Sequence, residues 1–158
     1  MGLDMYLTAE RYVSGYSDIP TRDKVLVALG DYPPLRDEGS YATVNVSVAY
    51  WRKANAIHGW FVRELQDGKD DCDKYFVPLE KLKELVATCE SVLFKRDPEH
   101  AEEELPTESG FFFGGTEYDD WYWENVEATI DMLSPMIQWF EGDEKRRGDW
   151  DLFYRSSW

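Results

Sequence analysis

The sequence is short of several residue types that mark common functional classes. It has two cysteines and two histidines in 158 residues, too few for a paired-dithiol zinc site or a disulfide framework. Basic residues are in the minority, with 17 Lys and Arg against 32 Asp and Glu and a formal charge of −15. Because phosphate backbones repel such a surface, we do not expect general binding of DNA or RNA.

Long apolar runs are also missing. A membrane span needs about 20 mostly apolar residues, and charged residues interrupt every apolar stretch well before that length. The first residues, MGLDMYL, have neither the basic start nor the long apolar segment of a secretory signal peptide. We therefore expect a cytoplasmic protein with no membrane partner, and we predict no metal and no cofactor.

What is present predicts one α+β domain over residues 1–158, with a small antiparallel or mixed sheet packed by three to four helices. The two-residue alternation of a half-buried strand runs from Leu3 to about Val13 and recurs around Val44–Val48. A short strand is predicted at Tyr75–Val77 and a last one at Trp150–Tyr154.

Helical spacing of apolar residues predicts four helices. The first begins at a capping Thr21 and ends near Leu29, and the second covers Trp51–Gln66. The third follows Pro78, and the fourth begins at Thr116 with a kink or break at Pro135. Loops are predicted at Asp31–Gly39, Asp97–Glu108 and, unless it forms a short buried strand, Gly110–Gly115.

The segment YWRKANAIHGWF, residues 50–61, is the most informative for function. On a helix it places His58 in the middle of an apolar face, where the ring must find a hydrogen-bond partner. Asp4, Glu117 and Asp119 are the candidate partners. A structural histidine and a general base or ligand donor both fit this pattern.

The same segment brings two cations together with aromatic and amide side chains. Arg52 and Lys53 stand at a predicted strand-to-helix junction, and backbone N–H groups at a helix start favour anions. Such a set can hold a phosphorylated or nucleotide-like ligand. No glycine-rich phosphate loop precedes it, and two cations paired with surface carboxylates are the alternative interpretation.

A third motif, GFFFGGTEYDDWYW, spans residues 110–123. Its glycines can let a backbone approach a ligand, and its carboxylates Glu117, Asp119 and Asp120 can take a metal or a proton. The same carboxylates suit a helix N-terminus through its dipole alone. The acidic stretch Asp67–Asp73 lacks calcium-loop spacing and is predicted to be solvated.

These three strings, MGLDMYL, YWRKANAIHGWF and GFFFGGTEYDDWYW, together resemble a family of small phage and prophage proteins that has no established activity. The resemblance covers most of the chain and implies a protein made in the cytoplasm of an infected bacterium, without assigning catalytic residues. Small acidic phage accessory proteins often block host enzymes, and others capture host signalling nucleotides, which are analogies of role.

Two classes of function follow. The first is a binding protein, for either a small anionic ligand or a basic host protein, with a homo-oligomer left open; the ligand site would comprise Tyr6, Tyr50, Trp51, Arg52, Lys53, Asn55, His58, Glu117 and Tyr118. The second is a small hydrolase or transferase acting on a phosphorylated or nucleotide substrate. There His58 would be the acid or base, Asp4 or Glu117 would assist, and Arg52 would orient the substrate.

Overall fold

In the part of the chain that the structure describes, four antiparallel strands form a sheet and six helices accompany it. The computed structural model describes residues 2–30 and 40–158, so the predicted loop at 31–39 lies outside the described residues. The strands are β1 (Asp4–Ser14), β2 (Tyr41–Arg52), β3 (Tyr75–Phe76) and β4 (Asp151–Ser157), in the order β2-β1-β4-β3. The helices are α1 (Ile19–Ala28), α2 (Asn55–Leu65), α3 (Leu79–Lys95), α4 (Pro98–Glu104), α5 (Asp120–Glu141) and α6 (Glu144–Asp149).

The predicted α+β class is confirmed. Pairing is antiparallel throughout the sheet, and the four predicted helices correspond to α1, α2, α3 and α5. The two further helices are short. α4 lies inside the predicted loop at 97–108, where Asp97 accepts the backbone N–H of His100 and Pro98 occupies the first turn.

Alternation along β1 gives the sheet one buried and one open face. Met5, Leu7 and Ala9 are buried in a single apolar core together with α2, α3 and α5. The residues between them, with their neighbours on β2 and β4, form what we call the open face of the sheet. Tyr6 and Tyr12 on this face are exposed.

The junction between β2 and α2 differs from the prediction. Trp51 and Arg52 are the last residues of β2, paired with Met5 and Asp4, and are not the first turn of a helix. Lys53 then adopts a left-handed φ of 56°, and α2 begins at Asn55. Because side chains alternate across a strand, Trp51 enters the core and Arg52 lies on the open face.

Two helix starts and one proline also differ from the prediction. Asp18, not Thr21, caps α1, and Asp119, not Thr116, caps α5. In both cases a carboxylate accepts the N–H three residues on, and Asp is a better cap than Thr. Pro135 does not divide α5, which continues from Asp120 to Glu141. No helix among the described residues is long and apolar enough to cross a membrane.

Candidate functional site

His58 is sealed inside the core, 1% exposed. Its Nδ1 lies 2.7 Å from the hydroxyl of Tyr154, and its Nε2 lies 3.0 Å from Oδ2 of Asp70. The Phe113 ring meets the imidazole edge-on, and Phe61 stacks on Tyr154 at 3.9 Å. Both ring nitrogens therefore have partners, and aromatic rings surround the group.

The partners fix the hydrogen-bond direction through this chain. Burial raises the pKa of Tyr154 well above its usual value, so the hydroxyl stays protonated and donates to Nδ1. Nε2–H then donates to the Asp70 carboxylate, which also accepts the indole N–H of Trp158 at 3.1 Å. A ring held in this way links α2, β4 and the segment before β3, the role of a structural histidine.

The three predicted partners of His58 are elsewhere. Asp4 accepts a hydrogen bond from the Tyr50 hydroxyl on the open face, Asp119 caps α5, and Glu117 is exposed. The prediction failed because His58 points from α2 toward β4 and not toward the start of β1 or α5. The structure joins no two of Asp4, His58 and Glu117 by a hydrogen bond or ion pair within the described residues.

Part of the predicted ligand-binding set lies together on the open face. Tyr6 is directly opposite Tyr50 across the β1–β2 ladder, with ring centroids 5.4 Å apart. Asp4 is opposite Arg52, and Arg155 of β4 is opposite Tyr6 on the other side. Tyr6, Tyr50 and Arg52 are exposed on this surface and do not line the cavity between α2 and α5.

A second part of the set lines a cavity of about 230 Å³. It lies where the N-terminal ends of α2 and α5 meet the segment that leads into α5. Of the predicted residues, Lys53, Asn55 and Glu117 line it. The remaining wall residues are Ala54, Ala56, Ile57, Thr107, Gly115, Asp119, Trp121, Tyr122, Asn125 and Val126.

Asn55 builds a wall of this cavity through its own hydrogen bonds. It is 5% exposed, and its Nδ2 donates to the backbone oxygens of Phe113 at 3.2 Å and Gly115 at 2.7 Å. Its Oδ1 accepts the backbone N–H of Glu108 at 3.2 Å. Both N–H groups of the amide and one acceptor site of its oxygen are thus used in holding residues 108–115 against α2.

Lys53 is the basic residue of the cavity lining. Its backbone N–H donates to the Leu3 carbonyl at 2.7 Å, which anchors the left-handed turn. A methyl group on Gly2 would lie 3.3 Å from Lys53 Cε and 4.0 Å from the Arg52 guanidinium, so both side chains flank Gly2. The two cations are therefore close in space, although Arg52 belongs to the open face and only Lys53 lines the cavity.

The two helix ends at the cavity differ in their capping. Asp119 accepts the Tyr122 N–H at 3.1 Å and so satisfies the start of α5. No side chain of the described residues caps α2 at Ala54. The first N–H groups of α2, from Asn55 onward, therefore have no side-chain cap, and the carboxylates of Glu117 and Asp119 line the same cavity.

Aromatic residues close the other side. Trp121 lines the cavity with 53% of its surface exposed, so the indole ring offers a face to a ligand. Tyr118 is half-buried against Tyr122, with ring centroids 4.9 Å apart, and supports the wall from behind. Trp51 takes no part, because it is buried and donates its indole N–H to Thr129 at 2.9 Å.

Sequence reasoning missed the residues that complete both arrangements. Asp70 and Tyr154 lie 12 and 96 positions from His58, and no periodic pattern connects them. Trp121 belongs to the motif at residues 110–123, but the direction of its ring depends on where α5 begins. The predicted solvated character of Asp67–Asp73 holds for exposed Asp73 but not for Asp70.

No group of three or more His, Cys, Asp or Glu side chains within residues 2–30 and 40–158 is arranged to hold a metal ion. Comparison of the chain with models of protein families, with curated protein sequences and with solved structures found no match.

Proposed function

We propose that this protein is a binding protein of phage origin that captures a small, nucleotide-like anion in the cavity between α2 and α5. The observation that carries the proposal is the position of Lys53. This lysine lines a hollow whose wall includes the uncapped start of an α-helix. An anion there would gain a point charge and backbone N–H donors together.

The other walls favour a ligand with a planar apolar part. Trp121 offers an exposed ring for stacking, and the buried side chains of Ala54, Ile57 and Val126 give an apolar floor. Asp119 and Glu117 are the exposed carboxylates of the lining, and Glu117, unlike Asp119, does not cap a helix. It would accept a hydrogen bond from a hydroxyl or amino group at the end of the ligand remote from the phosphate.

The phage context rests on the three sequence motifs alone, and an activity of capture fits a protein of this size. The alternative enzyme lacks support in the geometry, because its acid or base, His58, does not line the cavity. With the imidazole sealed by Tyr154 and Asp70, the predicted proton-transfer carboxylates that line the hollow are Glu117 and Asp119, and Asp119 is engaged as the cap of α5.

A basic host protein is the second candidate partner, and one observation favours it. Asp120, Glu124, Glu127 and Asp131 are exposed at helical spacing along one stripe of α5. None of the four forms an ion pair with a described residue. Capture of a basic surface by this stripe would weaken steeply as salt rises, whereas binding in a half-enclosed cavity would change little.

A panel of ligands tests the main proposal. We expect at least one nucleoside phosphate, at constant ionic strength, to raise the melting temperature of the protein, because a ligand at about 100 times its Kd stabilises by about 2.7 kcal/mol. Lys53→Gln should weaken that ligand by about 10- to 100-fold, the value of a hydrogen bond to a charged group. Isothermal titration calorimetry measures both constants.

Lys24→Gln is the matched control, since Lys24 is an exposed lysine on α1 and does not line the cavity. It should leave the affinity unchanged. A panel without any stabilising ligand, or equal affinity in the Lys53 and Lys24 variants, would contradict the proposal. Capture of a basic protein that weakens with added salt in both variants alike would point to the acidic stripe instead.

A further inference from the structure

β2 is an edge strand with an unusual composition. Of the described strands, only β1 pairs with it, so its outer edge has no strand partner there. The strand holds no charged residue from Tyr41 to Trp51, in a chain with a formal charge of −15. An unpaired edge offers a row of backbone N–H and C=O groups to another strand.

Natural proteins protect such edges with charged residues, proline, bulges or very short strands. The opposite edge of this sheet follows that practice, since β3 has two residues and begins directly after Lys74. β2 has one such device, a bulge where the register shifts between Leu7 and Thr8. The seven residues Tyr41–Ser47, on the N-terminal side of the bulge, pair regularly with β1. They include no charged residue, no proline and no further bulge.

We propose that Tyr41–Ser47 pairs antiparallel with the same segment of a second copy of this chain, giving a two-fold symmetric dimer with a continuous sheet. In this pairing, the Val44 residues of the two copies face each other across the two-fold axis. Ala42 of one copy then lies opposite Val46 of the other, and Thr43 lies opposite Asn45. The pairing then matches apolar with apolar on one face and polar with polar on the other.

Apolar surface next to this edge supports a second copy as the occupant. Val46 is 43% exposed and lines an apolar groove of about 300 Å³ between the sheet and α5. The groove is built entirely of apolar residues: Ala9, Val46, Val48, Met136, Trp139, Phe140 and Trp150. Strand addition at the edge would cover Val46 and part of this groove and so enlarge the buried area beyond the backbone ladder.

The charge distribution also favours this edge as the contact between copies. Two chains that each have a formal charge of −15 repel each other wherever their carboxylates come close. β2 contains no carboxylate. Glu10, opposite Asn45 on β1, is already neutralised by Lys74 at 2.6 Å and accepts Asn45 Nδ2 at 2.6 Å. Added salt should therefore strengthen the dimer by screening the long-range repulsion.

Analytical ultracentrifugation of the full chain measures the association. We expect a dimer of twice 18.5 kDa with a Kd of about 10 μM or tighter, and a lower Kd at higher salt. Hydrogen–deuterium exchange should show the amides of Tyr41–Ser47 becoming more protected as protein concentration rises. Val46→Lys and Thr43→Lys place a cation on each face of the edge, and each should raise the Kd at least about tenfold.

Val27→Lys is the control, because Val27 is an exposed valine on α1. It should leave the Kd unchanged, and thermal melts should show all three variants folded. Thr43 is exposed, so its variant keeps the test valid if Val46→Lys is unstable. A monomer at every concentration, which would leave the edge to a strand of another protein, overturns the proposal. So does a dimer in which the β2 amides exchange independently of concentration.

Discussion

The hydroxyl of Tyr154 decides what His58 does. A histidine on an apolar face is equally compatible with catalysis and with packing until its two nitrogens are accounted for. Tyr154 donates to one and Asp70 accepts from the other, so neither lone pair nor proton is available to a substrate. The residue thus ties three parts of the chain together and does not line the cavity between α2 and α5.

Tyr154→Phe tests this structural role. The substitution keeps the stacked ring and removes the donor to Nδ1, which leaves a buried polar atom unpaired. We expect the free energy of unfolding to fall by about 1 to 3 kcal/mol, measured by urea denaturation, with ligand affinity in the cavity unchanged. Tyr12→Phe, on the exposed part of β1, should change neither quantity.

If Tyr154→Phe abolished ligand binding while leaving stability intact, His58 would have a functional role after all. The sequence correctly predicted the apolar surroundings of His58, because helical periodicity depends only on near neighbours. It could not predict Asp70 or Tyr154, since those contacts depend on how β4 and the segment before β3 pack against α2.

The pair of helices α3 and α5 packs around ionisable groups that must stay neutral. Cys89 on α3 is fully buried, and burial raises the pKa of its thiol from 9.0 to about 12. Burial likewise raises the pKa of Tyr122 on α5 above its usual value, with a smaller contribution from Cys89. Ionisation of either group would place a charge between the two helices.

Stability should therefore decline in alkali. A raised native pKa means that the unfolded chain loses its proton first, so the contribution is complete below pH 9.0 and is lost as pH rises toward about 12. For Cys89 the free energy of unfolding should fall by about 1.4 kcal/mol per pH unit in that window. Urea denaturation at a series of pH values measures the slope.

Cys89→Ala should reduce that slope while lowering stability at neutral pH. Val92→Ala, a truncation on the same helix, should lower stability without changing the slope. Identical slopes in the parent protein and in both variants would show that the thiol does not contribute.

Elements with regular patterns were predicted better than their ends. The alternation in β1 and β2 and the apolar stripes of α3 and α5 gave the α+β class, because burial on one side repeats along the sequence. Helix starts failed where a carboxylate replaced the expected threonine, as at Asp18 and Asp119. The largest error, at Trp51 and Arg52, arose because strand pairing with β1 extended β2 beyond its apparent end.

At the scale of the whole molecule, the residues of the predicted ligand site are divided between two surfaces. Because β2 extends to Arg52, Tyr50 and Arg52 lie beside Tyr6 on the open face, whereas Lys53 and Glu117 line the cavity. The adjacent positions of Arg52 and Lys53 in the sequence gave no sign of this division, which depends on the left-handed turn at Lys53. The cavity and the open face are consequently distinct surfaces, separated by the end of β2.

In the proposed function, a strongly acidic chain binds an anion at one local hollow that is lined by Lys53 and by an uncapped helix start. The charge of −15 opposes anions in general, so any capture must depend on that hollow. Binding should then be confined to one place on the molecule and should be insensitive to changes on the open face.

Two-dimensional ¹H–¹⁵N NMR during titration with a nucleoside monophosphate tests whether the anion binds at this hollow. We expect saturable shifts of the Asn55, Ala56 and Ile57 amide signals and of the Trp121 indole N–H signal. The amide signals of Tyr6 and Tyr50 should not shift. Shifts centred on Tyr6 and Tyr50, or no saturable shift at the start of α2, would contradict the proposed function.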